Sequence, residues 1–337
     1  MADLLKTLKH EELVQISADF DYLSATQDFI GLKLMPMVRT ENMKVAIYDL
    51  MKGNNVRVSA LVHALDSEAR IGDRPEYEEI KAELFLIKAK LNQGEELRKK
   101  IKDMGMSTEE RVILNAIYDD IANLISRVLT GFERWACQLL STGKITIKEN
   151  GADKVVDYKL SANNSIAVSG WATPSHDILA DLVAVKKASG NKIVRAIVSG
   201  KVMGYIMANE KLNAFATNAN EYVTEDFAKN FLLNKFGVEF IVDDRTYKTD
   251  YINGKEARFF EEDTVIWLTS RGVIGRTFMT STPTEDANET DAKYGFVAVD
   301  AWMEDHDPHI TWAMAEGVGL PVIANINNTL YLSKVTA

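Results

Sequence analysis

The sequence predicts a mixed α+β protein, and three features of the chain predict that class. A helical pattern continues over residues 107–142, about three times the usual helix length. The charged segment 66–90 alternates as a two-stranded β-ribbon does. From residue 171 onward, helical and strand-like segments follow one another. The length of 337 residues, about twice that of a typical domain, predicts two domains or one domain with large excursions.

The first 65 residues are expected to lead into the ribbon. Residues 2–17 have a loosely helical spacing of apolar side chains and predict an amphipathic arm that packs on another surface. Residues 18–42 show no sustained period and predict an extended lead-in. Two strand-like runs, KVAIYDLM and VRVSALV, flank the turn signal Gly53-Asn54-Asn55 and predict a hairpin.

The charged segment 66–90 has two possible structures. Alternation of charged and apolar residues favours a β-ribbon, whereas a helix over residues 76–91 is the alternative. An isolated two-stranded ribbon is marginally stable in water, so a ribbon here is expected to lie on another surface.

The long helix has predicted ends. Ser107 and Glu110 form a capping-box pattern at its start, and Gly143 is expected to stop it. Its single apolar stripe indicates a spine that lies across a sheet. Residues 144–160 alternate around Asn150-Gly151 and predict a hairpin.

The region after residue 171 is predicted to alternate helices and strands. Pro174 is expected just inside the start of a helix that ends at Gly190. The other predicted helices are YIMANEKLNAFAT (205–217) and YVTEDFAKNFLLNKFG (222–237). The predicted strands are IVRAIVSG (193–200), VEFIVDDRTYKT (238–249), most of 254–282, LPVIA (320–324) and LYLSKV (330–335).

Composition and charge narrow the function classes. The 46% apolar and 26% charged residues are ordinary for a folded protein and exclude long disorder. The formal charge of −10 disfavours binding of nucleic acid by net charge. Because Cys137 is the sole cysteine, an internal disulfide and a metal site built from several thiolates are ruled out, and its mid-helix position predicts an inert buried thiol. No secretory signal and no apolar run of membrane-spanning length are recognised.

Reactive motifs are scarce. The cluster Glu304-Asp305-His306-Asp307-Pro308-His309 has metal-ligand composition, but its spacing favours a solvated loop. A metal-dependent hydrolase using His306 and His309 remains the alternative. No nucleophile elbow and no P-loop occur, so no catalytic, cofactor or metal site is predicted, and a structural or interaction protein is expected rather than an enzyme.

Several segments resemble the lambda-type major capsid proteins of tailed bacteriophages, the capsid protein E family. They are MPMVRTENMKVAIYDL, VSALVHALDSEARIGDR and AELFLIKAKL within residues 35–91, the helix start Trp171-Ala172-Thr173-Pro174, the run from Phe236 to Glu285, and GLPVIANINNTLYLSKV. Where the family often has proline and leucine, this chain has Trp267-Leu268-Thr269. The sequence therefore does not fix the residue at which the strand containing Trp267 ends.

The resemblance implies a Hong Kong 97-type capsid fold with four parts. They are an N-terminal arm (1–42), an extended β loop (43–92), a peripheral domain with the spine helix (93–170 and 255–289) and an axial α/β domain (171–254 and 290–337). It also implies hexamers and pentamers that form an icosahedral head around double-stranded DNA. The implied partners are a scaffolding protein, a portal, a decoration protein, and DNA contacted non-specifically, with no membrane. The virion is the implied location, after assembly in the host cytoplasm.

The extended loop supplies the candidate contact residues between subunits, which are Arg70, Arg74, Glu76, Glu79 and Lys81. Some relatives of the fold cross-link lysine to asparagine, and Lys81, Lys88 or Lys90 could lie at the loop tip, although no cross-linking motif is present. An encapsulin-like nanocompartment is the alternative use of the same fold.

Overall fold

A computed structural model describes most of the chain. The described residues are 10–41, 44–50, 77–93, 109–149, 152–218, 222–249, 254–287, 294–303, 311–323 and 325–336. The helices are α1 (His10–Asp19), α2 (Tyr22–Ala25), α3 (Gly31–Leu34), α4 (Glu109–Thr142), α5 (Ile178–Ala188), α6 (Gly200–Met207), α7 (Glu210–Asn218), α8 (Glu225–Phe236), α9 (Pro283–Ala287) and α10 (Ile326–Thr329).

The strands follow the same order along the chain. They are β1 (Met37–Arg39), β2 (Lys44–Leu50), β3 (Tyr77–Glu83), β4 (Phe85–Gln93), β5 (Lys144–Glu149), β6 (Ala152–Asp157), β7 (Val168–Ser169), β8 (Arg195–Val198), β9 (Glu239–Val242), β10 (Thr246–Lys248), β11 (Glu256–Arg258), β12 (Thr264–Leu268), β13 (Arg276–Thr280), β14 (Ala298–Met303), β15 (Thr311–Val322) and β16 (Leu330–Thr336).

The chain divides into two compact units. Unit 1 consists of Met1–Val45, Glu83–Cys137 and Gly275–Val322, and unit 2 consists of Ala46–Ala82, Gln138–Ile274 and Ile323–Ala337. Each unit therefore draws on three separate stretches of sequence.

Unit 1 contains a five-stranded sheet centred on β15. Along one edge, β15 pairs antiparallel with β4. Along its other edge, residues 311–316 pair antiparallel with β14 and residues 318–322 pair antiparallel with β13. The short β1 adds in parallel to β13. The apolar stripe of α4 is buried, with Leu124, Val128 and Phe132 fully inaccessible.

The N-terminal segment packs into unit 1 through two charged side chains. The buried carboxylate of Glu133 accepts the backbone N–H groups of Ile30, Gly31 and Leu32 at 2.8–3.0 Å. Arg39 forms a bidentate ion pair with Glu285. The predicted extended lead-in is wrong, because residues 18–42 contain α2, α3 and β1. The backbone N–H donors at the start of α3 are satisfied by Glu133, which lies about a hundred positions later in the chain.

Unit 2 is built on a second sheet, in the order β7-β16-β12-β8-β9. The central strand β12 is buried at all five positions, and Trp267 donates its indole N–H to Ser333 on β16 at 2.8 Å. Helices α5, α6 and α8 contribute to the apolar core of this unit, which includes Trp171. Hairpins β5–β6 and β10–β11 also belong to this unit, as does most of the two-stranded β2–β3 sheet.

Many predicted elements are confirmed. The long helix spans 109–142 and ends at Gly143, which has a φ of +70°, and the hairpin after it is β5–β6. The stop at Gly190 is also confirmed, at φ +64°. The strand with the atypical Trp267-Leu268-Thr269 sequence ends at Leu268.

Other predicted elements are corrected. The helical alternative for 76–91 is wrong, because residues 77–83 and 85–93 are β3 and β4. Strand β2 pairs with β3, whereas residues 51–76, including its predicted hairpin partner, lie outside the described residues.

The start of α5 and the course of the next helix also differ from prediction. Pro174 precedes α5 by four residues, and Asp177 caps that helix by accepting the Ala180 N–H. The single helix predicted over 205–217 is two helices, α6 and α7, separated at Asn209. The Asn209 side chain donates to the carbonyls of Pro174 and His176, so a tertiary contact fixes the break.

Candidate functional site

The predicted contact residues lie mostly beyond the described part of the chain. Arg70, Arg74 and Glu76 are outside the described residues, whereas Glu79 and Lys81 lie two positions apart on β3. The predicted ion pairs of these residues remain predictions. The histidine and carboxylate cluster at 304–309 is also outside the described residues.

The five-stranded sheet of unit 1 turns one face towards α4. Glycine makes that contact possible, since a Cβ at Gly317 would lie 3.0 Å from Phe132 and one at Gly131 would lie 2.8 Å from Ile87. Phe85 packs edge-on against Trp135 at 6.2 Å between ring centroids. Because side chains alternate along a strand, the residues between these positions belong to the opposite face.

The opposite face of the sheet carries lysines and tryptophans. On β4 its exposed residues alternate as Leu86, Lys88, Lys90 and Asn92. Cross-strand register sets them opposite Val318, Glu316, Met314 and Trp312 of β15. Trp302 of β14 lies opposite Trp312. We call Leu86, Lys88, Lys90, Asn92, Trp302 and Trp312 the lysine face.

Lys88 is neutralised by a buried carboxylate. Its Nζ lies 2.8 Å from Oε2 of Glu316, which is 1% exposed, and the other Glu316 oxygen accepts the Thr284 N–H at 2.7 Å. Burial raises the pKa of the Glu316 carboxyl, but hydrogen bonds from Lys88, Thr284 and Thr282 outweigh burial and hold that pKa below its ordinary value. Glu316 is thus a buried anion held by a surface lysine.

Lys90 lies over two aromatic rings. Its Nζ is 3.5 Å from the ring centroid of Trp312 and 4.5 Å from that of Trp302. Such cation–π contacts fix a cation in place without neutralising it. Lys88 and Lys90 both lie within the five-stranded sheet of unit 1, so neither is at a loop tip.

Cys137 is buried, as predicted, and its Sγ lies 3.3 Å from the Glu133 carboxylate. Within the described ranges, no group of three or more His, Cys, Asp or Glu side chains is arranged to hold a metal ion. No described helix combines the length and apolarity needed to cross a bilayer.

Solved structures share this arrangement of elements over nearly their whole length. A structure described as the capsid protein of a prophage from E. coli CFT073 matches with a TM-score of 0.61 at 16% identity, over 99% of this chain and 97% of that one. The Hong Kong 97-type capsid fold is confirmed. A phage-related protein from Bordetella bronchiseptica RB50 matches with a TM-score of 0.53 at 14% identity, over 96% and 95% of the two chains. No family model and no curated protein matches the sequence.

Within the capsid fold, sequence reasoning missed the lysine face. The alternation of charged and apolar residues on β4 was visible, but its partner β15 lies more than 200 residues later. Trp302 and Trp312 show no periodic spacing, so their pairing across two strands carried no sequence signal.

Proposed function

We propose that this protein is the major capsid protein of a tailed bacteriophage, a structural and non-catalytic subunit. Identical copies assemble into hexamers and pentamers of an icosahedral head around double-stranded DNA. The observation that carries the proposal is the match of almost the whole chain to a prophage capsid protein, with both chains covered nearly end to end. The virion is the proposed location, after assembly in the host cytoplasm with scaffolding and portal proteins.

In this proposal residues 1–42 form the N-terminal arm and 43–92 the extended loop that overlaps a neighbouring subunit. Residues 93–170 and 255–289 are assigned to the peripheral domain, and 171–254 and 290–337 to the axial domain around the capsomer centre. These bounds differ from the two units described above, because β13 pairs with β15 and β12 pairs with β8 and β16. Contacts spread over several segments let each one be weak while the closed shell is stable. The charge of −10 suits a shell that encloses DNA non-specifically, because an acidic inner surface does not bind phosphates tightly.

Electron microscopy of the purified protein tests the proposal. The chain is expressed alone and with a scaffolding protein of the same phage, and particles are imaged by negative stain. Closed shells or capsomer rings are the expected result. A stable monomer under both conditions would contradict the proposal, and shells that enclose a cellular protein cargo instead of DNA would identify a nanocompartment.

The ribbon residues are tested by charge reversal. Arg70, Arg74, Glu76, Glu79 and Lys81 are proposed to pair with charges of a neighbouring subunit, at about 0–1 kcal/mol for each pair. Arg74→Glu should weaken assembly at low salt more than at high salt, because ions screen exposed pairs. Equal assembly of Arg74→Glu and the wild type at all salt concentrations would show that Arg74 has no such partner.

A further inference from the structure

The lysine face holds a cation that no described residue neutralises. Lys88 has Glu316 as its partner, whereas no carboxylate of the described residues lies within ion-pairing distance of Lys90. Asp300 occupies the same cross-strand row as Lys90, through Met314, and its Oδ1 accepts the backbone N–H of Ala301. Two tryptophan rings therefore hold the Lys90 ammonium at the surface, and no carboxylate of the described residues meets its charge.

The same cluster contains a second unmet donor. The indole N–H of Trp312 is buried and has no hydrogen-bond partner among the described residues. Buried polar groups in folded proteins nearly always have a partner, so an unpaired one suggests a missing group. The exposed ammonium of Lys90 is the donor of this pair that a carboxylate of another molecule can reach, because the Trp312 N–H has no accessible surface.

The surroundings of this pair resemble the centre of an interface. Leu86, on the same face of β4, is 42% exposed although it is a large apolar residue. Tryptophan dominates binding energy at protein interfaces when neighbouring groups exclude water. A carboxylate bound at Lys90 would thus have apolar surface beside it.

We propose that the lysine face binds a carboxylate-bearing surface of a second copy of this chain. The inference rests on the proposed function, since a shell brings copies of the chain together. Charge complementarity supports this occupant, because each copy carries 49 Asp and Glu against 39 Lys and Arg. In a ring of identical subunits the contact joins two different surfaces, so an acidic surface of one copy meets the lysine face of the next.

Lysine acylation tests the inference. Free subunits and shells assembled without DNA are treated with an acetylating reagent, and modified lysines are quantified by mass spectrometry. Acetylation of Lys90 should fall about fivefold in shells, because an interface centre excludes water. Lys192, an exposed lysine after α5, serves as the matched control for access of the reagent.

Each other outcome overturns the inference. Shells in which Lys90 reacts as fast as in free subunits exclude a second copy as the occupant while leaving the proposed function intact. Protection of Lys90 only in DNA-filled particles would assign the face to phosphate instead. Absence of shells overturns the proposed function and this inference together.

Charge reversal gives a second readout. Lys90→Glu should raise the protein concentration required for assembly about tenfold, whereas Lys192→Glu should leave it unchanged. Circular dichroism checks that both variants fold. If Lys90→Glu does not fold, carbodiimide coupling of mixed ¹⁵N-labelled and unlabelled wild-type shells replaces it. A cross-linked peptide that joins Lys90 of one isotope to a carboxylate of the other supports the inference, and its absence contradicts it.

Discussion

Gly31 is a residue whose missing side chain lets two segments of unit 1 meet. A Cβ at this position would lie 2.7 Å from the Cβ of Ala136 and 2.8 Å from an oxygen of Glu133. The carboxylate of Glu133 approaches the backbone N–H groups from this side, so an added methyl group would displace it.

Gly31→Ala should therefore lower the free energy of unfolding by about 1–3 kcal/mol, as overpacking does. Gly204→Ala is the matched control, because Gly204 lies within α6 and has nothing within 4 Å of an added Cβ. The control should be neutral or stabilise by up to about 1 kcal/mol. Urea unfolding of both variants measures the difference, and equal unfolding midpoints would refute the steric explanation.

The Lys88–Glu316 pair predicts a pH dependence of stability. The folded-state pKa of Glu316 lies below its unfolded value of about 4.5, so the pair stabilises the fold above that pH. The stabilisation is lost as the pH falls through the lower folded-state value. Lys88→Met removes the cation beside a buried carboxylate and should destabilise unit 1 more at pH 7 than at pH 3.

Urea unfolding of the wild type and Lys88→Met across this pH range measures the effect. The double variant Lys88→Met/Glu316→Gln, which has no charge at this site, should be less sensitive to pH than Lys88→Met alone. A constant difference between Lys88→Met and the wild type from pH 3 to pH 7 would mean that Glu316 does not titrate in the way proposed.

At the scale of elements, two helices end at glycines that differ in their surroundings. Gly143 ends α4 at φ +70°, and its Cβ position lies 2.8 Å from the Cβ of Leu160. Gly190 follows α5 at φ +64° and has nothing within 4 Å. Backbone conformation alone would make both positions equally sensitive.

Gly190→Ala should cost about 1–2 kcal/mol, which is the strain of a left-handed alanine. Gly143→Ala should cost at least about 1 kcal/mol more, because steric overlap is added to that strain. Thermal or urea unfolding compares the two variants. Equal costs would show that Leu160 moves aside without loss.

Elements defined by local sequence were predicted well, and elements defined by distant contacts were not. The stripe of α4 and the stops at Gly143 and Gly190 depend on neighbouring residues, and all were predicted. The break at Asn209 and the helix α3 depend on hydrogen bonds from remote segments. Strand β4 has a local pattern, but its lysine face is created by β14 and β15, whose position relative to β4 the pattern does not encode.

At the scale of the whole molecule, both units are assembled from distant parts of the chain. Strand β16 lies inside the sheet of unit 2, between β7 and β12, and its Ser333 accepts the indole N–H of Trp267. Removal of this strand leaves one edge of the central strand β12 unpaired and detaches β7 from the sheet.

Deletion of residues 330–337 should abolish the cooperative unfolding of unit 2 and shift tryptophan fluorescence to longer wavelength as Trp267 meets water. Ser333→Ala is the control that keeps the strand, and it should cost only about 1–3 kcal/mol for the unpaired indole N–H. A truncated chain with an unchanged unfolding midpoint would show that β16 is dispensable.

The pairing of β1 with β13 has a consequence for the speed of folding. Met37 pairs with Thr277, which lies 240 residues later along the chain. Sheets whose partners are so far apart in sequence fold slowly, because the chain must close a large loop before the contact stabilises it. Newly made chains should therefore spend time with β1 not yet paired to β13. The rate at which assembly-competent subunits appear should be set by closure of this loop rather than by encounters between subunits.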